Sequence, residues 1–232
     1  MMIMNSKERA ARKALELVES NTTIGLGTGS TTRIFIDLLG EQIKLGALTN
    51  IKAVPTSEQT AQQANKWGIA LTTLAETSSL SIAVDGADEV DPDLNMIKGL
   101  GRALLREKVV EIHTDRLIII VDESKLVSRL GTKGALPVEI LPFEAEAHVQ
   151  WLHSLGCQAE LWLEEDGSRV VTDNGNYLAL CWFEDGIEDA YTIADRLAYR
   201  PGIIEHGLFI DMAHQVIVAS EQDTRILTRK SR

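Results

Sequence analysis

The chain has 232 residues, 44 % hydrophobic and 25 % charged, which suits a folded domain with or without a smaller companion and excludes a disordered chain. Its 34 acidic and 23 basic residues leave a net charge of −11 with no basic cluster, so nucleic acid and anionic membranes are poor partners, although a few local donors can still hold a phosphorylated metabolite. Two cysteines, Cys157 and Cys181, are too few for a disulfide scaffold and fit a reduced compartment or a buried pair; no apolar run nears the ~18 residues of a membrane helix, and the residues around Lys7, Glu8 and Arg9 lack an apolar signal core, so a cytoplasmic setting is expected.

Asn5 to Ser20 reads as a helix, with Asn5 and Glu8 at capping-box spacing and an apolar stripe of Ala11, Ala14, Leu15 and Val18. Thr22 to Leu26 is a short β-branched strand, broken by Gly27-Thr28-Gly29-Ser30-Thr31. A second helix follows, with Ile34, Leu38 and Leu39 inward, ending near Gly40. Ile51 to Val54 is a strand, and Ser57 caps a helix reaching Lys66. Leu80 to Val84 is a strand ending in Asp85; Ala103 to Ile112 is helical; Leu117 to Val121 is an apolar strand ending in Asp122. Strands apolar on both faces, alternating with helices, predict a Rossmann-like α/β domain with a parallel sheet. In such sheets the ligand crevice lies at the carboxyl ends of the strands, where the Gly-rich turn, Asp85 and Asp122 all fall.

The pattern changes near Gly134. Val138 to Leu141 is a strand, Phe143 to Leu155 a helix, Ala159 to Leu163 and Val170 to Phe183 strands or a long hairpin, Asp189 to Ala198 a helix and Leu208 to Ile210 a strand. This β-α-β-β-α-β order predicts a smaller ferredoxin-like α+β domain. The expected division is 1–133 plus a returning 211–232 for the first domain, where Gln215 to Ala219 and Arg225 to Leu227 are strands, and 134–210 for the second.

Four constellations carry possible chemistry. Around Thr28, Gly29, Ser30 and Thr31, glycines let the backbone approach a ligand and the next helix offers unpaired N–H groups, a phosphate cradle or a plain tight turn. Ser30 stands where a dinucleotide fingerprint needs its third glycine, and no Lys precedes it as in a Walker loop. In Asp85-Gly86-Ala87-Asp88-Glu89-Val90-Asp91-Pro92-Asp93, an apolar strand delivers Asp85 to the crevice, while Asp91 and Asp93 suit a solvated turn; Met96 and Arg102 rule out a calcium loop. Lys98 precedes the turn Gly99-Leu100-Gly101, and Glu107 lies on the following helix, either as a carbon-acid base or as an exposed ion-pair partner of Lys108 or Arg106. Lys125 can meet a phosphate, or pair with Asp122 or Glu123. His113, His148, His153, His206 and His214 lack metal-ligand spacing and read as surface or structural; Trp151, Trp162 and Trp182 read as core or interface.

Taken together, Gly27-Thr28-Gly29-Ser30-Thr31, Asp85-Gly86-Ala87-Asp88-Glu89, Lys98-Gly99, Leu105-Arg106-Glu107-Lys108, Asp122 with Ser124-Lys125, Leu136-Pro137-Val138-Glu139 and Thr172-Asp173-Asn174-Gly175-Asn176 resemble the type A ribose-5-phosphate isomerase family, in its order and spacing along nearly the whole chain. The resemblance implies interconversion of D-ribose 5-phosphate and D-ribulose 5-phosphate without metal or organic cofactor, in a homodimer or homotetramer. By position it makes Glu107 the general base and puts Asp85, Asp88 and Lys98 around the sugar oxygens. Lys7, Thr28, Gly29, Ser30, Thr31, Gly86, Ala87, Gly99, Leu100, Gly101 and Lys125 become substrate-binding positions. The family usually carries a run of glycines after the Lys; here Leu100 and Arg102 interrupt it, and Arg102 is left to face solvent, a neighbouring subunit or the ligand. A sugar-phosphate sensor domain without catalysis is the alternative. A CoA transferase or amino-sugar-phosphate deaminase needs a glutamate nucleophile in another context, or an acid–histidine pair not found here.

Overall fold

The computed structural model describes residues 5–77 and 79–229; the expected domain limits at 1 and 232 fall outside them. In chain order the elements are α1 (Ser6–Leu15), β1 (Thr23–Leu26), α2 (Ser30–Lys44), β2 (Lys52–Pro55), α3 (Glu58–Trp67), β3 (Ala70–Leu71), β4 (Ile82–Asp85), β5 (Glu89–Val90), β6 (Met96–Ile97), α4 (Leu104–Glu111), β7 (Leu117–Asp122), β8 (Leu136–Ile140), α5 (Ala145–Leu152), β9 (Gln158–Leu161), β10 (Tyr177–Trp182), α6 (Ala190–Ala198), β11 (Ile203–His206), β12 (Leu208–Phe209), β13 (Gln215–Ala219) and β14 (Thr224–Thr228). They form two compact units, one of residues 1–87, 106–125 and 212–232, the other of 88–105 and 126–211.

The first unit is built on a seven-stranded sheet in the order β14-β13-β7-β4-β1-β2-β3, parallel except for the edge strand β14. Counting only the parallel strands, this is the doubly wound order 3-2-1-4-5-6, in which the direction of winding reverses between β1 and β4. Its core joins Ala10, Ala11 and Ala14 of α1 with Phe35, Ile36 and Leu39 of α2 and with Ile24, Leu26, Val84, Ile118, Ile120 and Ile217 of the sheet. Small alanines on α1 let it lie close to α2, where large side chains fill the space.

Two helix ends differ from expectation. α1 stops at Leu15, and only half of the capping box forms: Asn5 accepts from the Glu8 N–H at 2.8 Å, while the Glu8 carboxylate turns to Arg12 at 2.8 Å. α2 runs on past Gly40 to Lys44. Gly40 is a place of close approach and not a terminator, because a Cβ there would lie 2.4 Å from the Trp67 ring.

The second unit holds a four-stranded antiparallel sheet in the order β11-β8-β10-β9, with α5 and α6 between its strands in sequence. Numbered within the unit this is 4-1-3-2, the ferredoxin-like order. The fourth strand is Ile203–His206, not Leu208 to Ile210; Leu208–Phe209 pairs instead with β6, which pairs with β5 in a small three-stranded sheet. Residues 88–105 and 126–133, expected with the first domain, lie in this second unit. The reason is local pairing: β5 and β6 join β12, and the buried Glu89 carboxylate accepts from the N–H groups of Gly131, Lys133 and Gly134 at 2.6, 2.7 and 2.9 Å. The expected strand Val170 to Phe183 is regular only from Tyr177, because residues 172–176 turn around the buried Glu139. Its Oε1 accepts from Thr172 Oγ1 at 2.9 Å, Asn174 Nδ2 at 3.1 Å and Asn176 Nδ2 at 2.8 Å. The motifs Leu136-Pro137-Val138-Glu139 and Thr172 to Asn176 thus meet each other as a structural lock.

Candidate active site

In the first unit, β1 and β4 are the strands on either side of the winding reversal, and both run out into polar loops. Gly27 follows β1, and a Cβ there would lie 2.0 Å from Asp85 Cγ at the end of β4, so only glycine fits beside that carboxylate. Asp85 is 1 % exposed. Its Oδ1 accepts from the backbone N–H of Thr28 at 3.0 Å, the hydroxyl of Thr32 at 3.2 Å and its neighbour Gly86 N–H at 2.6 Å. Three donors on one oxygen offset the cost of burying the charge.

The other side of the turn is fastened by hydroxyls. Thr28 Oγ1 lies 2.8 Å from both Thr56 Oγ1 and Ser57 Oγ, and 3.2 Å from Thr60 Oγ1. Thr60 donates to the Gly27 carbonyl at 2.8 Å, and Ser57 caps α3 by accepting from the Thr60 N–H at 3.0 Å. Gly29, with φ +133°, caps α2 with no side-chain partner and open space beside it. The first N–H groups of α2 therefore face a surface turn, at the positive end of a fifteen-residue helix. Lys7 of α1 reaches the same turn, its Nζ 2.8 Å from the exposed Ser30 Oγ. Lys125 is half-buried in the short 3₁₀ turn Glu123–Lys125 that follows β7. Its expected alternative partner Asp122 accepts instead from the N–H and hydroxyl of Ser124.

Glu107 stands in the first turn of α4 and is 2 % exposed. The expected exposure is therefore not found, and its neighbour Arg106 pairs with Glu58 at 2.8 Å. One turn on, Glu111 is buried as well, which nothing in the sequence signals.

In the second unit, Lys98 follows β6 and is 2 % exposed, its Nζ 5.2 Å from the centre of the Phe209 ring. The turn after it is held by Asp88, whose Oδ2 accepts the Leu100 N–H at 2.9 Å. Arg102 closes that turn with φ +66° and faces Glu164 and Trp162 of its own unit. Asp91 is an internal turn residue: its Oδ1 accepts from the N–H groups of Asp93 and Asn95, and burial raises its pKa more than those bonds lower it. Of the histidines, His148 and His206 are buried, while His113, His153 and His214 are exposed and bonded to backbone groups. No group of three or more His, Cys, Asp or Glu among the described residues could hold a metal ion. Among the described residues no helix is long and apolar enough to cross a membrane.

Sequence reasoning missed Thr56 and Thr60. The available signal was position: β2 neighbours β1, so the loop after Pro55 emerges at the same sheet edge as the Gly-rich turn.

A doubly wound sheet with an anion-ready turn and a buried aspartate at its winding reversal defines an α/β protein built for a small phosphorylated ligand. The family model described as ribose 5-phosphate isomerase A (phosphoriboisomerase A) matches residues 52–223. The chain is 42 % identical over 231 residues to ribose-5-phosphate isomerase A of Pyrococcus abyssi, covering 99 % of this chain and all of that one. It is 45 % identical to a probable ribose-5-phosphate isomerase 2 of Arabidopsis thaliana, over 95 % of this chain and 85 % of the relative. Among solved structures, a D-ribose-5-phosphate isomerase in complex with phospho-erythronic acid superposes with a TM-score of 0.94 at 41 % identity, over 99 % of this chain and 100 % of that one. The enzyme of Plasmodium falciparum gives 0.93 at 38 % identity, over 97 % and 98 %. The chain belongs to the ribose 5-phosphate isomerase A family, a family of aldose–ketose isomerases.

Proposed function

We propose that the chain interconverts D-ribose 5-phosphate and D-ribulose 5-phosphate through a cis-enediolate, with Glu107 as the base that carries the proton. The observation that carries this reading is the burial of Glu107 to 2 % exposure in a chain of this family. Burying a carboxylate is costly, and the one buried here stands in Leu105-Arg106-Glu107-Lys108, where the resemblance puts the family's base. The sugar opens to its aldehyde, Glu107 takes the C2 proton, and the electrons move onto the carbonyl oxygen. Return of the proton to C1, with the hydroxyl proton passing from O2 to O1, gives the ketose. One base suffices because the same proton is removed and replaced.

The resemblance assigns Lys98 and the N–H groups of Gly99, Leu100 and Gly101 to the developing oxyanion, and Asp85 or Asp88 to ring opening. The phosphate is assigned to the turn of Thr28, Gly29, Ser30 and Thr31 with Gly86 and Ala87 nearby, supported by the Lys7–Ser30 contact and the start of α2. Phospho-erythronic acid, in the complex of the related enzyme, joins a phosphate to a planar carboxylate and so imitates an enediolate in shape and charge. The resemblance also carries a homodimeric or homotetrameric assembly, and the composition a cytoplasmic location.

The test is turnover of ribose 5-phosphate in D₂O after exhaustive chelation, followed by NMR. Ketose should form without added metal, and Glu107→Gln should lose about 10²–10⁴-fold in kcat while still binding the sugar phosphate. Near-normal turnover by that variant removes Glu107 from the mechanism. Activity lost on chelation and restored by a divalent ion overturns the metal-free part.

A further inference from the structure

We propose that Arg102 is a positioning residue, clamping the turn after Lys98 to the β9 hairpin. The residue departs from the family's glycine run, and its backbone shows why a glycine would be at home: φ is +66°, in the left-handed region. An arginine there carries a strain that glycine would avoid, so its side chain must return something. It makes a two-pronged ion pair. Nη1 lies 2.5 Å from Glu164 Oε1 and Nη2 2.9 Å from Oε2, the parallel fork that fixes direction as well as distance. The guanidinium also stands 5.1 Å from the centre of the Trp162 ring.

The far side of this clamp is rigid. Trp162 donates its N–H to Leu178 at 2.8 Å and accepts from Val170 at 2.9 Å; the Glu164 N–H donates to Ser168 at 2.8 Å. Both partners thus sit in a paired hairpin and not on a loose loop. The near side is the turn itself. The Arg102 N–H donates to the Gly99 carbonyl at 2.9 Å, and the Leu100 N–H donates to Asp88 at 2.9 Å. The four residues from Gly99 to Arg102 are therefore held at one point by Asp88 and at the other by the hairpin. Ordinary glycines would leave the second point open. A guanidinium engaged this way is not a phosphate ligand; it acts through Lys98 and the turn amides.

The inference rests on the isomerase reading for its effect on rate, but not for the clamp itself. Glu164→Gln keeps the shape and removes the charge; Arg102→Gly removes the clamp and also the backbone strain. Each should lower kcat for ribose 5-phosphate about fivefold, with KM within about twofold, as expected for one half-exposed fork plus a ring contact. The double variant should fall no further than either single. High salt should slow the native enzyme towards the variants and leave Glu164→Gln unchanged. Amide exchange of a peptide covering 98–103 should quicken in Glu164→Gln. Unchanged exchange there overturns the clamp whatever the activity. Arg102→Gly as fast as the native enzyme overturns its catalytic consequence, showing that backbone strain was all the residue contributed. Failure of the native protein to isomerise the sugar would sink the isomerase reading, and the exchange measurement would still decide the clamp.

Discussion

The Asp85 carboxylate and the backbone N–H of Thr28 are joined at 3.0 Å across the winding reversal of the sheet. The two residues leave neighbouring strands, β4 and β1, so one hydrogen bond ties the loop after each strand to the other. The Gly-rich turn is thereby set by a side chain 57 positions away in sequence.

Asp85→Asn and Asp85→Ala should therefore separate. Asparagine keeps an oxygen for the Thr28 and Gly86 amides, and KM should stay within about threefold of native. Alanine leaves those donors unsatisfied, at about 1–3 kcal/mol, and KM should rise about tenfold. Steady-state kinetics on both variants check this; equal KM values would show that the carboxylate does not shape the turn.

Gly27→Ala tests the same relationship from the other strand. The added methyl would lie 2.0 Å from Asp85 Cγ, and the carboxylate cannot yield without leaving its three donors. Overpacking of this kind costs about 1–3 kcal/mol. The urea midpoint should fall and KM should rise with it. Gly29→Ala meets no atom within 4 Å, so its cost is only that of φ +133°. A Gly27→Ala protein with native KM would refute the account.

Much of this arrangement was legible in the sequence. Apolar strands each ending at a polar residue gave the parallel sheet and put Asp85 at its edge, because burial on both faces leaves only the strand end for a charge. The hydroxyls of Thr56 and Thr60 were not legible: threonine is common in turns and on helices, and only the pairing of β1 with β2 gives these two a shared target. Strands β5, β6 and β12, two residues each, lie below the length at which periodicity can be read. For that reason residues 88–105 read from the sequence as part of the first domain, and Leu208 to Ile210 as a strand of the ferredoxin-like sheet. Glu107 was ambiguous for a different reason. A glutamate flanked by Arg106 and Lys108 looks solvated until the helix's rotation is known.

The two cysteines make a prediction about reactivity. Both are buried and reduced in the second unit's core. A hydrogen bond between them, with burial added, holds the Cys181 thiol well above its ordinary pKa; the same bond lowers that of Cys157. Thiolate is the nucleophile, so as pH rises Cys157 should be alkylated first and Cys181 last. Removing the donor by Cys181→Ala should move the midpoint of Cys157 alkylation to higher pH. Mass spectrometry of iodoacetamide-treated protein reads this directly, and an unmoved or lowered midpoint would show that Cys181 does not support the Cys157 thiolate.

The last prediction concerns capture of the phosphate. The whole chain carries a charge of −11 and repels a dianion at long range, so each cation at the turn matters out of proportion to its number. Lys7 already touches the turn through Ser30, and Lys125 follows β7, the strand beside β4, at the same carboxyl edge of the sheet. Arg102, by contrast, spends its charge on Glu164. Lys125→Ala should thus raise KM for ribose 5-phosphate by about threefold to tenfold, the scale of about 1 kcal/mol for a partly exposed charge, with kcat little changed. Arg102→Ala should do the reverse, lowering kcat and sparing KM. At high salt the KM penalty of Lys125→Ala should shrink, because exposed charges more than about 3 Å apart are then screened even from near neighbours at 1 M. Equal KM values for Lys125→Ala and the native enzyme at low salt would remove Lys125 from the phosphate site.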